Sequence, residues 1–138
     1  MPVISEHCVS RPDEKSAKKK KERMQRIADE AAKQSGRGRL PKIGEFISFN
    51  ACCQRIKDFD KSILFYELGG KPLKELITEA AGSIAILIGP EGGFSKEEVA
   101  KATEGGAEIA TLGPRILRTE TAPLAALSGI MLLTNNMN

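Results

Sequence analysis

"ILIGPEGGFSKEE", residues 86–98, decides the reading of the fold. An apolar run ends at Gly89-Pro90, a carboxylate and two more glycines follow, and Ser95-Lys-Glu-Glu98 then forms a capping box that opens a helix. With its upstream neighbours the run reads SIAILIG (83–89), too continuously apolar for a half-exposed strand. It is therefore a strand buried on both faces, followed by a glycine-rich loop and a helix. That order is the repeating unit of a parallel α/β sheet.

The unit recurs downstream. EIATLG (108–113) is a further strand, PRILRTE (114–120) a loop, and residues 121–134 an apolar helix that tolerates Pro123 in its first turn. Ligands of parallel sheets gather at the carboxyl ends of the strands. Two Gly-Pro loops leaving neighbouring strands therefore make one site.

Upstream, SILFYE (62–67) is a buried strand, and Gly69-Gly70 turns the chain into a helix over 72–80. Ser48 is positioned to cap a helix over 49–57, and a short strand is expected near Ile43. Before it lies the loop SGRGRLPKI (35–43). Ala17, Met24, Ile27, Ala28 and Ala31 recur at helical spacing, so a helix runs from Asp13, its N-cap, to about Ser35, with Gly36 as its stop. Gly105-Gly106 closes the helix begun at Ser95, and residues 1–8 read as the end of a short strand.

Composition sets the outer limits. The 138 residues suffice for one core and are too few for two full domains. Aromatics make up only 4% of the chain, so the core is aliphatic, which suits an α/β domain better than a β-sandwich. The net charge of +3 hides a division: residues 11–42 carry twelve Lys/Arg against five Asp/Glu, whereas residues 43–138 carry nine against twelve. The first third is where a polyanion would be drawn. Three cysteines in no metal or redox spacing point to a reduced, cytoplasmic protein, and no apolar run approaches bilayer length, so no membrane partner is expected.

A glycine-rich turn between strand and helix first suggests phosphate. GPEGGFS, however, lacks the Gly-Lys-Ser/Thr ending of a P-loop, Pro90 removes an amide donor, and Glu91 would repel a pyrophosphate. One reading of the loop is a tight turn and nothing more. The other is a cradle for a ligand without phosphate that carries positive charge, with Gly92 and Gly93 letting main chain approach closely. S-adenosylmethionine, an adenosine bearing a sulfonium and an amino acid, fits that description. Familiar catalytic constellations are missing: there is no nucleophile elbow, no paired acid and base, and no His/Cys cluster for a metal. His7 lies far from both loops in sequence and reads as a surface or packing residue. Positioning is the expected chemistry.

Three stretches together carry a family likeness. SEHCVSRPDEKSAKKKKERMQRIADEAAKQSGRGRLPKI (5–43), LIGPEGGFSKEE (87–98) and LGPRILRTETA (112–122) resemble, in one order, the RsmE family of 16S ribosomal RNA methyltransferases. The resemblance implies that residues 1–138 are one SPOUT-class domain, a parallel α/β sheet with helices on both faces and a C-terminal trefoil knot. It also implies transfer of the methyl group of S-adenosylmethionine to N3 of a uridine in small-subunit 16S rRNA by a homodimer.

Carried over by position, Leu87, Ile88, Gly89, Pro90, Glu91, Gly92 and Gly93 are similar to the first cofactor loop. Leu112, Gly113, Ile116, Leu117, Arg118, Thr119 and Glu120 are similar to the second, and Tyr66 and Glu67 are expected to line the same pocket. Arg115 and Arg118, with Arg37 and Arg39 on the segment Gln34–Arg39, are the candidates for RNA contact. Arg118 is the candidate for stabilising the uridine anion, and Glu91 or Glu120 for removing its proton, although either carboxylate equally suits a structural role holding loop amides.

The family pattern also places a small β-barrel RNA-binding domain and a first strand–helix unit ahead of the matched segment. On that pattern these 138 residues lack both, with weaker rRNA affinity and an incomplete sheet and dimer surface expected. The alternatives are a cofactor- or RNA-holding dimer without turnover, and an unrelated nucleotide-binding protein.

Overall fold

Strand β1 (Val3–Ile4) pairs in parallel with β2 (Ile47–Ser48), and the long helix α1 (Glu14–Gln34) joins them. These elements belong to one compact unit, Met1–Ile4 with Val9–Ser48; the other comprises Ser5–Cys8 with Phe49–Asn138. The structure, a computed structural model, describes residues 1–8, 11–78 and 82–137.

In the first unit local hydrogen bonds explain both ends of α1. The Asp13 carboxylate is held below its ordinary pKa by the Ser16 side chain and by the Ser16 amide, which donates to it at 2.8 Å, and Glu14 follows in the first turn. At the other end Gly36, at φ +65°, lets the Gly36 and Arg37 amides reach back to the carbonyls of Lys33 and Ala32, a Schellman closure. The strand expected near Ile43 lies four residues later, at β2. The reason is Gln25: its amide nitrogen donates to the Pro41 carbonyl at 2.9 Å and its oxygen accepts the Ile43 amide at 2.8 Å. Those backbone groups are satisfied by a side chain instead of a ladder.

The second unit is built on a four-stranded parallel sheet. Helix α2 (Phe49–Arg55) and a 3-10 turn (Ile56–Asp58) lead into β3 (Lys61–Phe65). Then come β4 (Lys71–Pro72), α3 (Leu73–Leu76), β5 (Ile84–Ile88), α4 (Lys96–Glu104), β6 (Glu108–Thr111) and α5 (Ala122–Leu133). The two-residue β4 was not foreseen. The helix expected over 72–80 covers only Leu73–Leu76, with Ile77 already extended, and its expected end at 79–80 lies outside the described residues. Sheet order is β4-β6-β3-β5, with Ile63 level with Ile86 on one side and Glu108 on the other. The last strand in sequence thus sits between β3 and β4, which are consecutive. β3 separates it from β5, so the two Gly-Pro loops do not leave neighbouring strands, contrary to expectation.

Strand β3 is buried on both faces, and its period of two assigns each side chain. Ile63 and Phe65 enter a cluster with Leu76, Ile77, Ala110, Ala126 and Ile130, which draws α3 and α5 onto one face. Ser62 points the other way and donates to the Ile56 carbonyl at 2.7 Å. Leu64 shares that side, and Phe49 of α2 packs against Phe94, which precedes α4, with ring centroids 5.6 Å apart. Ile63 and Leu64 are fully buried, each stabilising the unit by about 1.5–3 kcal/mol relative to exposure.

Crossing from β3 to β4 requires Tyr66–Gly70 to pass over β6. A Cβ on Gly70 would lie 2.7 Å from the Ala110 carbonyl carbon, so only glycine allows the crossing at this height. At the opposite end of the sheet Asp60 and Ser83 bind each other. The Ser83 amide and hydroxyl both donate to the Asp60 carboxylate at 2.7 Å, which holds that carboxyl below its ordinary pKa.

Candidate cofactor cleft

Three carboxyl strand ends converge at the top of the second unit. Phe65, Tyr66 and Glu67 leave β3, Ile88 through Gly93 leave β5, and Thr111 through Glu120 leave β6. Together they wall a cleft of about 610 Å³, within the range of small-molecule sites. Ala122 completes the wall.

The first loop is a turn closed by the Gly93 amide donating to the Pro90 carbonyl at 2.9 Å. Glu91 and Gly92 form its exposed tip, and Gly93 takes φ +68°. Gly89 is required for closeness: its Cβ would stand 3.3 Å from the Gly93 backbone and from the Phe94 ring. Phe94, buried against Phe49, pins the end of the loop, and the next residue starts α4 through the expected capping box. The Ser95 hydroxyl accepts the Glu98 amide at 3.2 Å, while Glu98 Oε2 accepts the Ser95 amide at 3.1 Å.

The second loop is anchored at both ends. The Gly113 amide donates to Thr111 Oγ1 at 3.2 Å, with Gly113 at φ +109°, and the Thr121 and Ala122 amides both close on the Arg118 carbonyl at 2.9 Å. Between them Ile116 is 76% exposed, an apolar side chain left at the wall of the cleft. Arg118 and Glu120 form an ion pair of 4.0 Å in open solvent, worth little by itself and easily exchanged for a ligand contact. Lining charges are Glu67, Glu91 and Glu120 against Arg115 and Arg118, and no lysine is among the lining residues.

Most of the residues singled out by the sequence meet here. Tyr66, Glu67, Ile88, Gly89, Pro90, Glu91, Gly92 and Gly93 do, as do Leu112, Gly113, Arg115, Ile116, Leu117, Arg118, Thr119 and Glu120. Leu87 does not. It is buried within β5 at register with Leu64, and its side chain belongs to the opposite sheet face from Ile88. Arg37 and Arg39 lie exposed on the loop after α1, in the first unit.

The fold adds a contact that sequence distance concealed. His7, an exposed residue far from the loops in sequence, has its Nδ1 3.4 Å from the Gly93 carbonyl oxygen, and the neighbouring Glu6 amide donates to Glu98 Oε1 at 2.8 Å. The separation of 86 residues hid that contact, and only the return of the chain to β5 makes it. Among the described residues no group of His, Cys, Asp and Glu is placed to hold a metal, and no helix is long and apolar enough to cross a membrane.

Comparison with known proteins points the same way. The family model described as "RNA methyltransferase domain" matches residues 1–131. A ribosomal RNA small subunit methyltransferase E from Bacillus subtilis (strain 168) is 42% identical, the match covering 94% of this chain and 54% of that relative. One from Mycobacterium tuberculosis is 31% identical over 93% of this chain and 50% of its own length. A crystal structure of ribosomal RNA small subunit methyltransferase E from Neisseria gonorrhoeae, bound to S-adenosyl methionine, superposes with a TM-score of 0.84 at 36% identity, covering 96% of this chain and 53% of that one. The chain spans about half the length of the curated relatives it matches.

Proposed function

The chain belongs to the RNA methyltransferase domain family, and from that premise we propose that it is an S-adenosylmethionine-dependent methyltransferase acting on N3 of a uridine in 16S ribosomal RNA. The observation that carries this reading is the meeting of two Gly-Pro loops in one cleft that offers close main chain and three carboxylates against two arginines, with no lysine. Such a wall suits a cationic ligand without phosphate. When bound, S-adenosylmethionine supplies an electrophilic methyl group on a sulfonium.

The chain's own residues do the rest. Loop amides and carbonyls at 88–93 and 112–117 read the adenosine, and Glu67, Glu91 and Glu120 favour the cationic half of the ligand. Arg118, exposed at the wall, offsets the negative charge that grows on the uridine as N3 loses its proton, and Glu91 or Glu120 takes that proton. Arg37, Arg39 and Arg115, all exposed, supply phosphate contacts from the RNA.

The wider reading treats residues 1–138 as one SPOUT domain, supported by a family match that runs through both units. The trefoil knot is supported by the insertion of β6 between two consecutive strands beneath the Tyr66–Gly70 crossing. A homodimer is supported by α5, whose outer face leaves Leu124, Leu127 and Leu132 exposed on an almost wholly apolar helix. A cytoplasmic site of action follows from a ribosomal substrate.

Calorimetry with S-adenosylmethionine, followed by methyl transfer to small ribosomal subunits, tests the proposal. Saturable binding with methylation at uridine N3 is expected. No binding at millimolar ligand by a folded sample overturns it, and binding without transfer favours a cofactor-holding module.

A further inference from the structure

The segment Ser5–Cys8 lies along the first loop, and three observations show how closely. A Cβ on Gly92 would come within 2.8 Å of His7 Cβ, so glycine at 92 is what lets the segment in. Glu98, only 6% exposed, accepts the Glu6 amide through Oε1 and the Ser95 amide through Oε2, tying the segment to the start of α4. His7 Nδ1 then faces the Gly93 carbonyl oxygen at 3.4 Å. A carbonyl only accepts, so Nδ1 carries the proton in this contact, and the residue is exposed.

Gly93 is a glycine of the loop whose backbone no side chain of its own restrains. It takes φ +68° and forms part of the cleft wall. The 3.4 Å contact from His7 favours one direction for its carbonyl. Because the peptide is planar and trans, the Phe94 amide then points in the opposite direction.

We propose that His7 is a positioning residue of the cleft. By donating from Nδ1 to the Gly93 carbonyl, it holds the Gly92–Phe94 main chain in the conformation that receives S-adenosylmethionine. This rests on the cofactor reading above. The ring acts through the loop and needs no contact with the ligand.

Two substitutions separate donation from bulk. His7→Ala removes the donor, whereas His7→Asn restores an N–H near the place of Nδ1. Calorimetry with S-adenosylmethionine is expected to show about three- to tenfold weaker binding for His7→Ala, the effect of one net hydrogen bond, and recovery in His7→Asn. Equal affinity for the parent chain and His7→Ala overturns the proposal, and so does an equal loss in both variants, which would assign His7 to packing alone.

A second readout needs no ligand. The amide resonances of Gly92, Gly93 and Phe94 in the free protein are expected to move in His7→Ala and to return in His7→Asn. If the parent chain fails to bind S-adenosylmethionine, the cofactor reading falls whatever these resonances do. If it binds and the resonances stay put, the role of His7 falls alone.

Discussion

The carboxylate of Glu67 occupies the space that a Cβ on Gly93 would take. One residue lies just after β3 and the other closes the turn after β5, so the two loops are fitted to each other at this point. Gly93→Ala would push the flexible Glu67 side chain aside at little cost. The larger penalty is a side chain at φ +68°, roughly 1–2 kcal/mol. Urea denaturation followed by circular dichroism should show that loss, and calorimetry should show weaker S-adenosylmethionine binding. Unchanged binding would mean that Glu67 and the Gly93 turn do not shape the ligand site.

Gly70 offers a sharper contrast because its obstacle is backbone. Gly70→Ala would place a Cβ 2.7 Å from the Ala110 carbonyl carbon and 2.9 Å from the Ile109 oxygen. Neither can yield without disturbing β6, so a loss of about 3 kcal/mol is expected. Gly69→Ala is the control, since nothing lies within 4 Å of its Cβ and only the φ of +140° is strained. Equal denaturation midpoints for the two variants would show that the crossing is looser than described.

Glu98 holds two amides with two oxygens. Glu98→Ala removes both acceptors, so neither the Glu6 nor the Ser95 amide keeps its bond to this side chain. The expected cost is about 1–3 kcal/mol, more than loss of a helix cap by itself would explain. Hydrogen exchange should locate the damage at both Glu6 and Ser95. Faster exchange at Ser95 alone would show that the Ser5–Cys8 segment is held by other means.

Asp60 gives the second unit an acid-sensitive seam. Its folded pKa is depressed by the Ser83 amide and hydroxyl, so its contribution is fully present above the unfolded carboxylate value and is lost as pH falls through the folded one. The parent chain should therefore lose stability on acidification more steeply than Asp60→Asn. Denaturation midpoints between pH 7 and pH 3 measure the difference, and parallel curves would exclude the role.

The parts of the fold legible in the sequence are those fixed by neighbours in sequence. The cap at Asp13, the stop at Gly36 and the box at Ser95–Glu98 involve bonds three to five residues long, and residue type alone specifies them. β5 announced itself because both faces are apolar, but it lies at the sheet edge with only Leu87 buried, less than the run implied. β4 did not, since Lys71 and Pro72 are strand residues only by virtue of their pairing with Ala110 and Thr111. The displacement of β2 turned on one glutamine side chain. Within the site, the glycines and prolines of both loops were readable because backbone chemistry dictates them. The period of two in β5 already separates Leu87 from Ile88, whereas nothing local could have brought His7 to Gly93.

The placing of β6 has a consequence for the birth of the protein. During synthesis β3, β4 and β5 emerge first, yet β4 is joined to the sheet only through β6. A nascent chain that stops short of residue 108 has an unfilled slot at its centre and one wall of the cleft unmade. The cleft therefore matures last, and a small molecule that fills it would distinguish finished molecules from those still waiting for their final strand.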